Sequence, residues 1–488
     1  MKKDFLMIRN SAAYLTEAVP VIELEAFRNK IAEFCNKADG RIVALFGKKE
    51  NNESLRIFTV LGSDSEGELY VSSATLNGTE YPSLTPDLPQ ANLFERELHE
   101  EFGIIPKNHP WLKPVRNSAG YEFYSLAGDS VHEVAVGPVH AGVIEPGHFR
   151  FNCHGEKVFN LEIRLGYQRR GVEELMLKSK PSLRLVLAES IAGDTVIGHA
   201  LAYCHAIEAL ADRQVPQRGR VIRALALELE RVANHVGDLG ALSNDVGFLP
   251  VASYFGRLKA EFSNMLLALN GNRYGRGLLK PGGAAFDLDN ELVKNFKIRI
   301  ERGMKEADEI TDLLFSTPSV LARFEKTGVV KTEEARKLGL VGPSARASGL
   351  QRDVRCDYPF GMYRFKKIIP VKAATGDVFA RARVRALEIK RSLTFIDEAL
   401  EMVPREKISI SCEEIKPSSF SVCMTEGWRG EIAHIAFTNE RSELSRYKII
   451  DPSFHNWPGL EIALKNGAIS DFPLCNKSFN LSYAGFDL

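Results

Sequence analysis

Between Gly219 and Leu242 the sequence reads GRVIRALALELERVANHVGDLGAL, and its apolar residues Ile222, Leu225, Leu229, Val232, Val236 and Leu239 recur at intervals of three and four. That spacing puts all six on one stripe of a single long helix. A stripe of this length has to be covered by other helices, so the chain must contain a bundle. The preceding segments have a different character. Residues 41–76 hold three strand-like runs, RIVALFGKK, SLRIFTVLGS and GELYVSSATL, separated by short turns of Gly, Ser, Asn and Asp. Neighbours so closely joined pair antiparallel. Leu24, Phe27, Ile31 and Phe34 mark one helix before them, and DLPQANLFERELHEEFGI marks another after them, with Asp87 as its expected cap and Gly103 as its stop.

The change of period gives an α+β protein in two parts. An N-terminal α+β domain with an antiparallel sheet spans residues 1–120, and residues 121–131 are expected to form an aperiodic linker. Residues 132–488 are expected to form a large, mainly α-helical domain with peripheral β-strands. A chain of 488 residues is long enough for both. With 63 basic and 63 acidic residues, it has no bulk attraction to nucleic acid. No apolar run reaches the roughly eighteen residues of a membrane span, and the start MKKDFLMIRNSAAYL lacks the apolar centre of a secretory signal. The seven cysteines include no CxxC pair, which fits scattered thiols in a reducing compartment and argues against a cluster held by this chain alone.

Five motifs in order carry a resemblance. FERELHEEFGIIPKNHPWLKPVR resembles the signature of the 30-kDa subunit of complex I. VGPVHAGVIEPGHFRFNCHGEKVFNLEIRLGYQRRGVEEL resembles the opening of the 49-kDa subunit and of the large subunits of energy-converting (group 4) nickel–iron hydrogenases. NRYGRGLLKPGG, GPSARASGLQRDVRCDYPF and DPSFHNWPGLEIAL follow in the family's order. The whole resembles the fused large subunits of the formate hydrogenlyase and hydrogenase-4 type. Within the fourth motif, Arg346, Arg352, Asp353, Arg355 and Asp357 form a dense charge cluster, expected to be an ion-pair network locking a loop.

In the hydrogenases the tract matching ESIAGDTVIGH presents two thiolates to nickel, and a DPCxxC tract near the C-terminus presents two more. Here Ala192 and Thr195 stand at the first pair and Ser453 and Asn456 at the second. None offers the soft anionic donor such a site needs. The resemblance therefore implies no metal and no cofactor bound by this chain. It also implies that the four positions converge on a vacated, less negative pocket, in which Arg429 would turn to Glu145, Asp451 or water.

The complex I members of the family use the vacated cavity for a quinone headgroup. By that resemblance His140, Glu145 and His148 are candidates for quinone contact and proton transfer, with Arg429, Asp451, Glu189 and His199 lining the pocket. The alternative for Glu145 and His148 is capping and salt-bridging of the strands that follow. For Glu189 and His199 it is a buried pairing inside the bundle. Cys204, a lone thiol on a helix, is expected to be core packing. The implied partners are an iron–sulfur small subunit, a ferredoxin-like iron–sulfur subunit and membrane-arm subunits of a hydrogenase-4 or complex I-like assembly. Its implied place is the cytoplasmic face of the cell membrane, held peripherally by those partners. Three functional readings remain: a metal-free electron-transfer or quinone-linked subunit, a non-catalytic scaffold, and an active nickel–iron hydrogenase, which the missing thiolates disfavour.

Overall fold

The computed structural model describes residues 3–37, 39–50, 54–117, 120–128, 130–139 and 145–488. The N-terminal part has strands β1 (Leu6–Ile8) and β2 (Ala12–Leu15), helix α1 (Leu24–Cys35), the long strands β3 (Gly40–Lys49), β4 (Leu55–Ser63) and β5 (Glu68–Leu76), and helix α2 (Asn92–Phe102). The short strands β6 (Glu80–Pro82) and β7 (Ile105–Lys107) pair in parallel on either side of α2. The main sheet here has the order β1-β5-β4-β3 and is antiparallel throughout, as the hairpin spacing predicts. Helix α2 starts later than the sequence suggests. A 3-10 turn at Pro89–Ala91 precedes it, and Asp87, instead of capping the helix, pairs with Arg28. Gly103 ends it in the left-handed conformation.

Strands β8 (His132–Val136), β9 (His148–His154) and β10 (Lys157–Arg164) form a second antiparallel sheet. The bundle follows: α3 (Val172–Lys178), α4 (Pro181–Glu189), α5 (Val196–Leu210), α6 (Gln217–Asp245), α7 (Leu249–Asn270) and α8 (Asn290–Ser316), with the two-residue strands β11 (Leu279–Lys280) and β12 (Gly283–Ala284) between the last two. Short helices α9 (Pro318–Phe324), α10 (Thr332–Lys337), α11 (Gly342–Ala347) and α12 (Val354–Asp357) lead to the long α13 (Val378–Glu401). Helix α6 packs against α7 and α13, and all six residues of its predicted stripe are buried. The chain closes with strands β13 (Ser419–Gly427), β14 (Gly430–Thr438) and β15 (Leu444–Ile450), then α14 (Pro452–Leu464), α15 (Phe472–Phe479) and α16 (Tyr483–Asp487). Among the described residues no helix is long and apolar enough to cross a membrane.

The change of architecture near residue 120 does not mark a gap in packing. Strand β2 leaves the N-terminal part and adds an edge to the C-terminal sheet, giving the order β15-β14-β13-β2. The two four-stranded sheets stay separate, yet Phe46 and Phe58 from one meet Phe437 from the other. Arg41 on β3 forms a buried two-pronged bridge to Glu431 on β14 and also holds Asp64. Among its described residues the segment expected to be a linker has no regular element but is docked: the Tyr121 hydroxyl and the Tyr124 N–H both donate to Glu162 on β10. One hydrophobic core therefore runs through both parts.

Candidate functional site

Five separate stretches of chain meet around the positions that matter. The turn Ile191–Thr195 precedes α5 and is closed by the Thr195 N–H on the Ala192 carbonyl, at 3.0 Å. Trp428 and Arg429 form the two-residue loop between β13 and β14, where Gly427 pairs with Gly430. The loop clamps the turn. The Trp428 indole N–H donates to the Asp194 carbonyl at 2.9 Å, and Arg429 donates two bonds to the Asp194 carboxylate, at 2.5 and 2.7 Å, and one to the Thr195 hydroxyl at 3.1 Å. The Arg429 guanidinium lies 3.9 Å over the Trp428 ring. Burial opposes the charge on Asp194, yet Arg429 and the Thr195 hydroxyl hold its carboxyl below the ordinary range.

The third stretch is the start of α14. Asp451 caps that helix by accepting the Ser453 N–H at 2.7 Å, with Pro452 at the first position, where no N–H is needed. Its other oxygen faces His199 Nε2 at 3.0 Å. The fourth stretch contains Val341 and Gly342. Gly342 has a φ of +64°, and a Cβ placed on it would lie 2.2 Å from the Arg429 carbonyl, so only glycine lets α11 approach the loop this closely. The fifth runs from Asn480 to Gly485. The Asn480 carbonyl accepts from Arg429 Nε at 2.5 Å, and Gly485 packs against the Asp451 carboxylate.

Ala192, Thr195, Ser453 and Asn456 sit within this ring of contacts, each at most 1 % exposed. They do not suit a soft metal. The Ser453 hydroxyl accepts the Ser482 N–H at 2.8 Å. The Asn456 amide bonds both ways to the Val341 backbone, at 3.0 and 3.1 Å. Thiolates are replaced by neutral groups already committed to the protein. Among the described residues, no group of three or more His, Cys, Asp or Glu side chains could hold a metal ion. The Thr195, Ser453 and Asn456 side chains at these positions are taken up by hydrogen bonds to the protein. The expectation for Arg429 is corrected, because its carboxylate partner is Asp194.

From Asp451 a chain of hydrogen bonds leads through the interior. His199 Nδ1 lies 3.1 Å from His434 Nε2, and His434 Nδ1 lies 2.8 Å from the Tyr447 hydroxyl. All four side chains are at most 1 % exposed. Burial and the neighbouring His199 push His434 well below the ordinary histidine range, so it is neutral. Burial opposes the Asp451 charge, but His199, Arg429 and the Ser453 hydroxyl hold its carboxyl low. With Asp451 ionised, one assignment satisfies every atom. Tyr447 O–H donates to His434 Nδ1, His434 Nε2–H to His199 Nδ1, and His199 Nε2–H to Asp451. Such a line can pass a proton by reversing each bond in turn.

The other candidates fall differently. Glu145 accepts the Ala484 N–H at 2.9 Å, and burial raises its carboxyl despite that bond and the nearby charge of Arg429. It stands at the edge of the same ring. His148 begins β9 and its Nδ1 faces the Gly137 carbonyl at 3.1 Å, with Phe123 beside its ring. These contacts tie His148 to Phe123 and Gly137. His140 lies outside the described residues. Glu189 accepts the Gly277 N–H at 2.7 Å from the NRYGRGLL loop, and Cys204 is fully buried. The charge cluster is a buried ionic network: Arg346 bridges Glu388 and Glu426 at 2.8 Å each, and Arg355 bridges Asp353 and Glu228.

Sequence reasoning missed Asp194, His434 and Tyr447. Asp194 had a signal, an acid inside the turn between two former ligand positions. His434 and Tyr447 sit in ordinary strand sequence, and only the sheet register brings them to α5.

Comparison with known proteins now adds to the geometry. Residues 26–131 match the family model described as respiratory-chain NADH dehydrogenase, 30 Kd subunit. Residues 245–422 match that of the respiratory-chain NADH dehydrogenase, 49 Kd subunit. Formate hydrogenlyase subunit 5 of Escherichia coli is 29 % identical, over 99 % of this chain and 89 % of the relative. The carbon monoxide-induced hydrogenase of Rhodospirillum rubrum is 30 % identical, over 72 % of this chain and 98 % of the relative. This chain belongs to the family of hydrogenase large subunits related to the 49-kDa subunit of complex I. Within that family, NADH-quinone oxidoreductase subunit 4 of Thermus thermophilus is 29 % identical over 69 % of this chain and 89 % of its own length. Several of these relatives are by name subunits of larger assemblies, and this large subunit carries the 30-kDa-type and 49-kDa-type segments on one polypeptide.

Proposed function

We propose that this large subunit works without a metal of its own in a membrane-associated respiratory complex. It sits peripherally on the inner face of the membrane through partner subunits, with an iron–sulfur small subunit beside the 191–195 turn. In this reading the site serves a two-electron acceptor such as a quinone, which takes two electrons from the partner's cluster and two protons to become the quinol. The observation that carries it is the line Asp451–His199–His434–Tyr447, a buried route for protons that ends at the vacated site. A ring that only held helices together would not need four titratable side chains in series. Glu145 at the edge of the ring is a second proton-handling group. Exposed Leu183 and Val186 on α4, the helix that leads into the turn, support the docking of a partner there.

The test is turnover of the assembled complex with a quinone acceptor. Tyr447→Phe is expected to lower quinone reduction by about 10²- to 10⁴-fold, the usual size of a lost general acid–base step, while the subunit content of the complex stays unchanged. His434→Gln should act in the same direction. The scaffold reading is favoured instead by full turnover in both variants together with no response to quinone-site inhibitors.

A further inference from the structure

A cavity of about 230 Å³ lies at the far end of α5 from the vacated turn, between the C-terminal half of α5, the first turns of α6, residues Phe360–Arg364 and strand β2. Ten residues of helix separate His205 from Thr195, roughly 15 Å along the axis, so this is a separate place in the molecule. Its lining is unbalanced in charge, with five cationic side chains facing two carboxylates. Both carboxylates are already committed: Glu208 holds Arg223 by two bonds, at 3.1 and 2.5 Å, and Asp212 holds Lys416 at 3.0 Å. Of the three remaining cations, Arg220 and Arg364 have neutral acceptors only. Arg220 donates to the Val215 carbonyl and the Gln214 amide, and Arg364 to the Pro359 and Asn10 carbonyls.

The inner wall adds an independent observation. His205 is 8 % exposed, lines the cavity, and its Nδ1 has no hydrogen-bond partner. A buried ring nitrogen left without a partner costs stability unless something bonds to it. Beside it the wall is apolar, with Leu201, Met362 and Phe360, whose ring meets the imidazole edge to face. Burial and the three arginines Arg223, Arg364 and Arg220 all disfavour charging His205, and burial and Arg364 disfavour the charge on Arg220. The cationic groups outnumber the anions around them, and Glu208 and Glu406 offset the strain on the Arg220 charge only in part.

From this arrangement we infer a binding site for a small organic anion, one with a phosphate-type head for Arg220 and Arg364 and a short apolar body against Leu201 and Phe360. The head supplies the charge the two guanidiniums lack, in the planar, multiply bonded manner arginine favours. The His205 imidazole lies beside the junction of head and body. A carboxylate from a neighbouring subunit would satisfy the mouth of the cavity alone, leaving the apolar wall and His205 as they are.

The experiment is calorimetric titration of the full chain with inorganic phosphate, phenyl phosphate and phenol. Phenyl phosphate is expected to bind at least tenfold more tightly than inorganic phosphate, with no measurable binding of phenol. Arg364→Gln, at an exposed position that does not threaten the fold, is expected to weaken phenyl phosphate at least fivefold. Arg220→Gln should do the same, and His205→Phe should weaken phenyl phosphate without changing the affinity for inorganic phosphate. Equal affinities for the two phosphates, indifference to Arg364→Gln, or no binding at millimolar concentration would each overturn the inference. So would cross-linking from an Arg364→Cys variant that finds an acidic segment of another subunit filling the cavity in the assembled complex.

Discussion

Arg429 shows how a buried cation at this site finds its partner: its charge is met by Asp194, a residue of the turn before α5. The pair closes the loop-to-turn clamp, and its contribution can be measured. The Asp194 side chain is 37 % exposed, so solvent screens the interaction, and Arg429→Met is expected to cost only about 1–2 kcal/mol. The sign of the pH dependence follows from the lowered carboxyl of Asp194. Its pairing contributes fully above the ordinary aspartate range and is lost as pH falls through the lowered value. Denaturant titrations of the two proteins should therefore differ most near neutral pH and converge in acid. A gap that stays constant down to the acid limit would mean that Arg429 acts through its carbonyl bonds or its packing on Trp428 instead. At this scale the sequence was informative where residues replace known ligands and silent where contacts are long-range. Ala192, Thr195, Ser453 and Asn456 could be named from motifs. The partner of Arg429 could not, because Asp194 and Arg429 are 235 positions apart and meet only through the fold.

Among the elements, α5 shows why helix ends matter here. It begins directly after the turn, its preceding residue Thr195 makes no side-chain cap, and its first free N–H groups are taken up from outside. The Glu230 carboxyl on α6 accepts from Ile197 at 2.7 Å and from Gly198 at 3.1 Å. Burial nevertheless pushes that carboxyl up to about 8, against the pull of the two N–H bonds. A group whose folded value is raised favours folding while it stays protonated, and that benefit is lost as pH climbs through the folded value. The stability of the natural chain should accordingly fall relative to Glu230→Gln between about pH 5 and pH 8, by about 1–3 kcal/mol. Chemical denaturation at both ends of that range measures it, and a parallel pH course in the two proteins would show that the carboxyl is ionised throughout. The fold itself was largely readable at this level. The period of α6 and the hairpin runs of β3, β4 and β5 each encode one element locally, and each element is where the pattern put it. The start of α2 was misjudged because Asp87 looks like a cap in sequence but is drawn to Arg28 on α1, and a 3-10 turn fills the space.

For the whole molecule, the two parts that sequence distinguishes behave as one body, and the reason is again non-local. Strand β2 crosses to the C-terminal sheet, and Arg41 buries its charge against Glu431 across the boundary, which no periodicity can foretell. The body has one conspicuous unfinished face near the site. On α4, Leu183 is 54 % and Val186 50 % exposed, three residues apart and therefore on the same side, with Leu175 of the preceding α3 also exposed. The same region is tied to the turn by Arg170 of the GYQRRG motif, which donates to the Ile191 carbonyl at 2.8 Å and to the Ala484 carbonyl at 3.0 Å. A partner seated on α4 would thus be mechanically coupled to the vacated site. Buried apolar anchors at the centre of an interface commonly carry about 2 kcal/mol or more each, and an aspartate there adds a desolvation penalty to the lost contact. Leu183→Asp with Val186→Asp is therefore expected to reduce recovery of the proposed iron–sulfur partner in the purified complex by well over tenfold. The same pair of changes should leave the thermal midpoint of this chain alone nearly unaltered, since both side chains are largely in water there. Full recovery of the partner with both aspartates in place would move the docking surface elsewhere, and with it the proposed route of electrons toward Asp451.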